Sequence, residues 1–356
     1  MGTILLLTEK DIRKVCTMKD IINANERAYK MFSEGRTEVP LRPVIHDEDK
    51  NSDFIFMPAY APDLEAAGIK IVTTFPENAK RGDAVTKGQV ILIDGKNGDF
   101  LSVMDGTFVT AFRTGAASGA AFDVLGCRNP RIGALIGTGG QARCQLEAML
   151  SVADLDEVRV AARNFQKTKK FAEDMSSLFK NCSAKIVPCE TGDEAVKDAD
   201  LIITVTPSPV PVFSAENVKK GATISAVGSY RDDMNELDPA LFGIASKIYF
   251  DSTEACVEES GDVHRPLEQG IITENDFTGE LGQVILGQVP GRESEDEIIL
   301  FKNVGIGILD LVAAESIYRK ARENKAGTKW NEYGIIGFKF YLPVVILKLC
   351  FTEFDN

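Results

Sequence analysis

Histidine is nearly absent. His46 and His264 are the only two in 356 residues, so a histidine-rich metal site is excluded and a Cys/His zinc site is disfavoured. The seven cysteines are odd in number, irregularly spaced and without a CxxC pair, which reads as reduced thiols in a cytoplasmic protein rather than a disulfide framework. Basic excess is missing as well: 40 Lys+Arg against 53 Asp+Glu give a formal charge of −13, which argues against nucleic acid or an anionic membrane as the main partner. It leaves room for an anionic small substrate, since a site needs only a few local cations. No secretion signal is expected at Met1–Lys10, whose apolar run is short and followed at once by acidic residues. Gly2 does not make a myristoylation motif, because Leu6 stands where Ser or Thr is wanted.

What is present divides the chain in two. Residues 8–35 predict two helices, capped by Thr8 and Thr17. Residues 38–118 are strand-rich, with apolar runs at 54–57 and 68–72, a hairpin across 90–104, and a helix from near Thr110. From residue 131 strands and helices alternate, with strands at 132–136, 158–162, 184–187, 200–205, 222–228 and 247–251. That spacing predicts an α/β fold: a Rossmann-type doubly wound parallel sheet at 119–305. Residues 1–118 read as an α+β domain, completed by a C-terminal helix within about 306–330. Residues 331–356 form an apolar tail of unknown role. An added strand or subunit contact, a membrane-associating segment and a gene-model artefact all fit its 336–351 run, which carries Lys339, Pro343 and Lys348.

The sharpest local signal is Gly137-Thr138-Gly139-Gly140-Gln141-Ala142, a G-x-G-x-x-A run between a strand and a helix. Its glycines permit the tight turn and close approach of a pyrophosphate, and the helix N-terminus faces the phosphates. An NAD(H) enzyme usually carries Asp or Glu at the end of the next strand, for the ribose 2′-hydroxyl. Here Val160-Ala161-Ala162-Arg163-Asn164 has none, and a guanidinium suits a 2′-phosphate. The expected cofactor is therefore NADP(H) in preference to NAD(H), held by Gly137 to Ala142, Arg163, Asn164, Thr206, Val227 and Gly228.

Three cations sit in unusual company. Arg42 lies between Pro40 and Pro43, Lys70 is in the middle of an apolar strand, and Arg113 is surrounded by small residues. Arginine suits bidentate binding of a carboxylate, and a lysine in an apolar strand can have a lowered pKa and move protons.

Taken together, the ordered motifs resemble the ornithine cyclodeaminase/mu-crystallin family over roughly residues 5–325. They are Val39-Pro40-Leu41-Arg42, Ile69-Lys70 with Phe75-Pro76-Glu77-Asn78, Arg113 to Ser118, the glycine loop, Ala226 to Arg231, Glu236-Leu237-Asp238, Glu280 to Val284, and Phe301-Lys302-Asn303-Val304-Gly305. The resemblance implies a homodimer in which residues 1–118, with the returning C-terminal helix, form the substrate and dimerisation domain; Arg42, Lys70 and Arg113 bind a substrate carboxylate, Arg113 also binding the cofactor, and the segments after Gly228 and around Glu259 border the reacting carbon. Within the family, ornithine cyclodeaminases carry an acidic residue where Tyr230 stands and another acidic group near Phe56-Met57. Both departures, together with the NADP(H) signal, point to reduction of a small, cyclic 2-imino acid, or the reverse oxidation. Lys70, Tyr230 and Glu259 are the candidate proton donors, Lys70 first. Ornithine cyclodeamination and a non-catalytic, crystallin-like ligand carrier are the competing readings.

Overall fold

The computed structural model describes residues 3–331 and the backbone of 334–336; the greater part of the apolar tail lies outside the described residues. The chain opens with β1 (Ile4–Leu7), α1 (Glu9–Val15) and α2 (Met18–Ser33). Both helices begin with a capping box. Thr8 and Thr17 accept from the amides of Asp11 and Asp20, whose carboxylates accept from the Thr8 and Thr17 amides in return. Strands β2 (Val44–Asp47), β3 (Ser52–Ala61), β4 (Ala66–Thr74), β5 (Thr86–Asp94) and β6 (Phe100–Asp105) follow as an antiparallel meander. Helix α3 (Gly106–Leu125) starts four residues before the expected Thr110, because Asp105 caps it by accepting from the Phe108 amide.

The second half contains β7 (Ile132–Ile136), α4 (Ala142–Val152), β8 (Glu157–Ala161), α5 (Phe165–Leu178), β9 (Lys185–Pro188), α6 (Gly192–Val196) and β10 (Leu201–Thr204). It continues with β11 (Thr223–Ala226), α7 (Ala240–Ile244), β12 (Lys247–Phe250), α8 (Thr253–Glu259), α9 (Gly261–Glu268), β13 (Gly279–Glu280), α10 (Leu281–Ile285) and β14 (Ile299–Lys302). Helix α11 (Gly307–Glu323), β15 (Thr328–Asn331) and β16 (Gly334–Ile336) close the described chain.

Two eight-stranded sheets result. The first runs β16-β15-β1-β6-β5-β4-β3-β2 and is mixed, with β1 and β6 parallel. The second runs β13-β12-β14-β11-β10-β7-β8-β9, and every pairing in it is parallel. From β7 the chain moves outward through β8 to β9, then returns to β10 on the other flank of β7. The carboxyl ends of β7 and β10 thus frame a topological switch point, where a doubly wound sheet opens a crevice for a ligand. Strand β1 has no counterpart in the sequence reading: its Leu5 and Leu7 face the core, and a four-residue apolar run carries too little periodicity to distinguish a strand.

Helix α11 leaves the parallel sheet after β14 and packs across β3, β4 and β5 of the mixed sheet. The boundary expected at 118/119 falls inside α3. That helix buries most of its length and touches α2 on one side and α4 on the other, so no linker separates the halves there.

Candidate active site

The glycine loop follows β7. Gly137 has φ +121°, and a Cβ there would come within 2.7 Å of the Val205 carbonyl oxygen, so neither its conformation nor its contact with the end of β10 admits a side chain. A Cβ on Gly139 or Gly140 would meet nothing within 4 Å, because both border a cleft of about 640 Å3 shared with Gln141, Val205, Thr206, Val227, Gly228 and Tyr230. No side chain caps the first turn of α4. An open backbone cradle at an uncapped helix start, at the switch point of a parallel sheet, fits the pyrophosphate of a dinucleotide. Arg163 lies beyond the end of β8, exposed and without an ion pair among the described residues. The Asn164 carboxamide oxygen is engaged locally instead, accepting from the Lys167 amide (3.0 Å) as the N-cap of α5.

Next to the cleft lies a smaller chamber of about 110 Å3. Gln141, Val227 and Tyr230 border both spaces. Lys70 enters the chamber from the middle of β4, between Met57 of β3 and Val90 of β5, and is 2% exposed. Arg113, from α3, is 4% exposed. Both converge on Asp310 of α11: Lys70 Nζ is 2.8 Å from Oδ2 and Arg113 Nε is 2.9 Å from Oδ1. Burial, followed by the charge of Arg113, brings the Lys70 ammonium down to about 7, although Asp310 pulls the other way. Gly305, at φ +83°, makes room for this arrangement, since a Cβ there would lie 2.5 Å from Arg113 Nη1.

Arg42 borders the chamber from the loop before β2. Its guanidinium forms a forked pair with Glu259 at the end of α8, Nε lying 3.1 Å from Oε1, and its Nη1 donates to the Val304 carbonyl (3.4 Å). Glu259 itself lines an adjoining cavity with Leu41, Glu254 and Gly305. Burial raises its carboxyl above the usual range while Arg42 opposes the shift. Ile55, Met57 and Val72 form the apolar wall of the chamber. Alternation along β3 turns Ile55 and Met57 inward, so Ile55 takes the place that the sequence reading gave to Phe56.

A second buried cluster lies behind the cleft. Glu236 accepts from the amides of Thr206, Gly228 and Ser229 (3.1 Å for the last) and from the Thr204 hydroxyl (3.1 Å). Its carboxylate thereby ties the loops after β10 and β11 together. Asp262 accepts from the amides of Glu236 (2.7 Å) and Leu237 (3.0 Å), and Lys302 Nζ sits 3.0 Å from its other oxygen. Burial and the neighbouring Asp262 push the Glu236 carboxyl up to about 7.

The structure therefore gathers Lys70, Arg113, Arg42 and Tyr230 around one chamber, and Gly139, Gly140, Gln141, Thr206, Val227 and Gly228 around the adjoining cleft. Gly137, Thr138 and Ala142 belong to the turn and helix start that shape this cleft. Asp310 escaped sequence reasoning, and Asn303 entered it only within a motif, without a role. The signal for Asp310 was a charge inside the apolar stretch Ile308-Leu309-Asp310-Leu311-Val312, the same feature that singled out Lys70. Among the described residues no group of three His, Cys, Asp or Glu side chains is placed to hold a metal ion, and no helix is long and apolar enough to cross a membrane.

A doubly wound parallel sheet, a glycine cradle at its switch point and a buried cation pair beside the cleft define a nicotinamide-dinucleotide-dependent oxidoreductase. Residues 3–325 match the ornithine cyclodeaminase/mu-crystallin family, and the chain belongs to it. It is 36% identical over 325 residues to a Delta(1)-pyrroline-2-carboxylate reductase of Bacillus cereus, covering 91% of this chain and 99% of that protein. The ketimine reductase mu-crystallin of Mus musculus is 35% identical over 296 residues, or 82% of this chain and 89% of its own. A Thermococcus litoralis Delta(1)-pyrroline-2-carboxylate reductase, solved in complex with NADH and L-proline, superposes with a TM-score of 0.87 at 38% identity, covering 91% of this chain and 99% of that one.

Proposed function

We propose that the protein reduces a small 2-imino acid, a five- or six-membered cyclic ketimine, to the corresponding amino acid, using NADPH in preference to NADH. One observation carries the reading: a chamber bearing Lys70 and Arg113 opens beside the glycine-lined cleft and shares Gln141, Val227 and Tyr230 with it. Lys70 and Arg113 have one carboxylate, Asp310, between them. A substrate carboxylate supplies the missing charge. Arg42 joins them by exchanging Glu259 for the substrate.

A bound reduced dinucleotide supplies hydride to the imine carbon, and the chain supplies orientation and protons. A protonated imine is the better hydride acceptor, so a proton source must stand close by. Lys70, at about 7, holds or releases a proton at neutral pH. Tyr230, at the junction of the two spaces, and Glu259, beside Arg42, are the other groups in reach. The apolar wall of Ile55, Met57 and Val72 suits a hydrocarbon ring and offers no partner for the second amine of ornithine. Preference for NADPH rests on the unpaired Arg163 and the lack of an acidic residue at 160–164.

Free thiols at Cys16, Cys127, Cys144, Cys182, Cys189 and Cys256 agree with work in the cytoplasm. A homodimer is supported by the outer strand β2, which leaves Val44 51% and Ile45 60% exposed beside Leu41.

The test follows consumption of NADPH and NADH with pyrroline-2-carboxylate, piperideine-2-carboxylate and pyruvate plus ammonia. Ammonia release from ornithine with NAD runs in parallel. Oxidation of NADPH by a cyclic ketimine is the expected result. Ammonia from ornithine with no ketimine turnover would replace this reading by cyclodeamination, and silence in every assay would leave a ligand carrier.

A further inference from the structure

Asn303 follows β14 and belongs to the Phe301-Lys302-Asn303-Val304-Gly305 segment, to which the reading above gives no role. It is 1% exposed, and neither its Oδ1 nor its Nδ2 has a hydrogen-bond partner among the described residues. Asn303 lines the chamber together with Lys70 and Arg113, and it is not among the residues of the glycine-lined cleft. The backbone around it is pinned. The Asn303 amide donates to the Ala226 carbonyl (3.0 Å), and the next two amides donate to the buried carboxylate of Asp251 (3.3 Å from Val304, 2.7 Å from Gly305). A buried carboxamide held in place with both valences open is unusual, since buried polar groups are almost always paired.

We propose that Asn303 is a specificity-determining residue that distinguishes a 2-imino acid from the matching 2-keto acid: Oδ1 accepts the imine N–H while Nδ2 donates to the adjacent carboxylate. The proposal rests on the ketimine reading above. A protonated 2-imino acid presents a donor beside an acceptor, which complements a carboxamide. A 2-keto acid presents two acceptors. Rotating the carboxamide does not help, because one of them always faces Oδ1. During reduction hydride adds to the imine carbon and the C=N π pair becomes the nitrogen lone pair, neutralising the iminium charge. The N–H stays on nitrogen, so its bond to Oδ1 persists from substrate to product amine.

Pyrrole-2-carboxylate and furan-2-carboxylate separate this from other roles. Both are planar five-membered rings with the same carboxylate, and they differ by N–H against O. Calorimetric titration of the NADP+-loaded protein is expected to show the pyrrole bound about tenfold tighter or more, since a site built for a donor rejects the analogue lacking it. Asn303→Leu should reduce that ratio to near one without changing NADP+ affinity. Asn303→Asp keeps an acceptor and should preserve the ratio while weakening both ligands. Asn303→Ser, too short to span both groups, serves if the Leu variant fails to fold, and should also lose the ratio. A wild-type ratio near one overturns the proposal, as does a ratio retained in the Leu or Ser variant. A loss falling on NADP+ instead assigns Asn303 to the nicotinamide carboxamide and overturns it too. Ketimine turnover with a flat ratio defeats the role of Asn303 alone; no ketimine turnover defeats the ketimine reading as well.

Discussion

Two buried charge triads lie next to the cleft, and they are built to opposite rules. In the chamber, two cations, Lys70 and Arg113, share one carboxylate, Asp310. Behind the cleft, two carboxylates, Glu236 and Asp262, share one cation, Lys302. The acidic triad completes itself: backbone amides and the Thr204 hydroxyl supply the donors that one ammonium cannot. The basic triad does not. Arg113 Nη1, Gln141 Oε1 and both polar atoms of Asn303 lack partners among the described residues, and these three residues border the same small space as Lys70. A buried triad whose excess charge meets backbone groups is structural. One whose excess charge faces a cavity awaits a ligand of the opposite sign.

The largest effect expected from breaking this contrast is on the basic side. Lys70→Ala should lower kcat/KM for a cyclic ketimine by about 10²–10⁴, the range of a lost proton donor. Its melting temperature should stay close to wild type, because Asp310 keeps Arg113. Ketimine turnover within tenfold of wild type would remove Lys70 from the reaction. The acidic side should answer in the other observable. Lys302→Met leaves two adjacent buried carboxylates without a cation and should cost about 3–5 kcal/mol in urea unfolding, the scale of breaking a buried ion pair from one side. If stability is unchanged, backbone amides alone hold that triad.

A smaller effect sharpens the comparison through pH. Lys70 is charged below about 7 and neutral above it, so kcat/KM should fall as pH rises through that value. Asp310 raises the Lys70 pKa, so Asp310→Asn should move the alkaline limb to lower pH by about one unit or more. Lys70→Arg, which stays charged, should flatten it. An alkaline limb that persists unmoved in both variants belongs to another group. Smallest is the nucleotide preference. Arg163→Ala should reduce the ratio of kcat/KM for NADPH over NADH about tenfold, the worth of one charge-assisted contact to a phosphate. An unchanged ratio would place recognition of the 2′-phosphate elsewhere.

How legible all this was depended on the range of the signal. The capping boxes at Thr8 and Thr17 and the glycine loop at Gly137–Ala142 are local, and the sequence carries them openly. Lys70 was legible because a lysine inside an apolar strand needs a reason. Asp310, Lys302, Glu236 and Asp262 raise the same question, yet each answer lies in a partner distant along the chain; Asp262 and Lys302 are 40 positions apart and Arg113 and Asp310 are 197. One sequence shows that a buried charge has a partner and does not name it. Asn164 shows the other side: its place at the end of the strand after the glycine loop suggested a cofactor ligand, and its carboxamide oxygen also caps the helix that begins beside it. Alternation likewise decided between Phe56 and Ile55, since a shift of one residue along β3 exchanges the wall of the chamber for the opposite face.

The return of α11 to the first sheet has a consequence for the order of events in synthesis. The core of that sheet includes Ile308, Leu309, Val312 and Ile317, which leave the ribosome only after the whole parallel sheet. Until then the β3–β5 surface that α11 covers stays open, and Lys70 and Arg113 lack their shared anion. The half built on the parallel sheet can settle while the chain is still growing; the half built on the mixed sheet is finished last, when Asp310 docks beside Lys70 and Arg113.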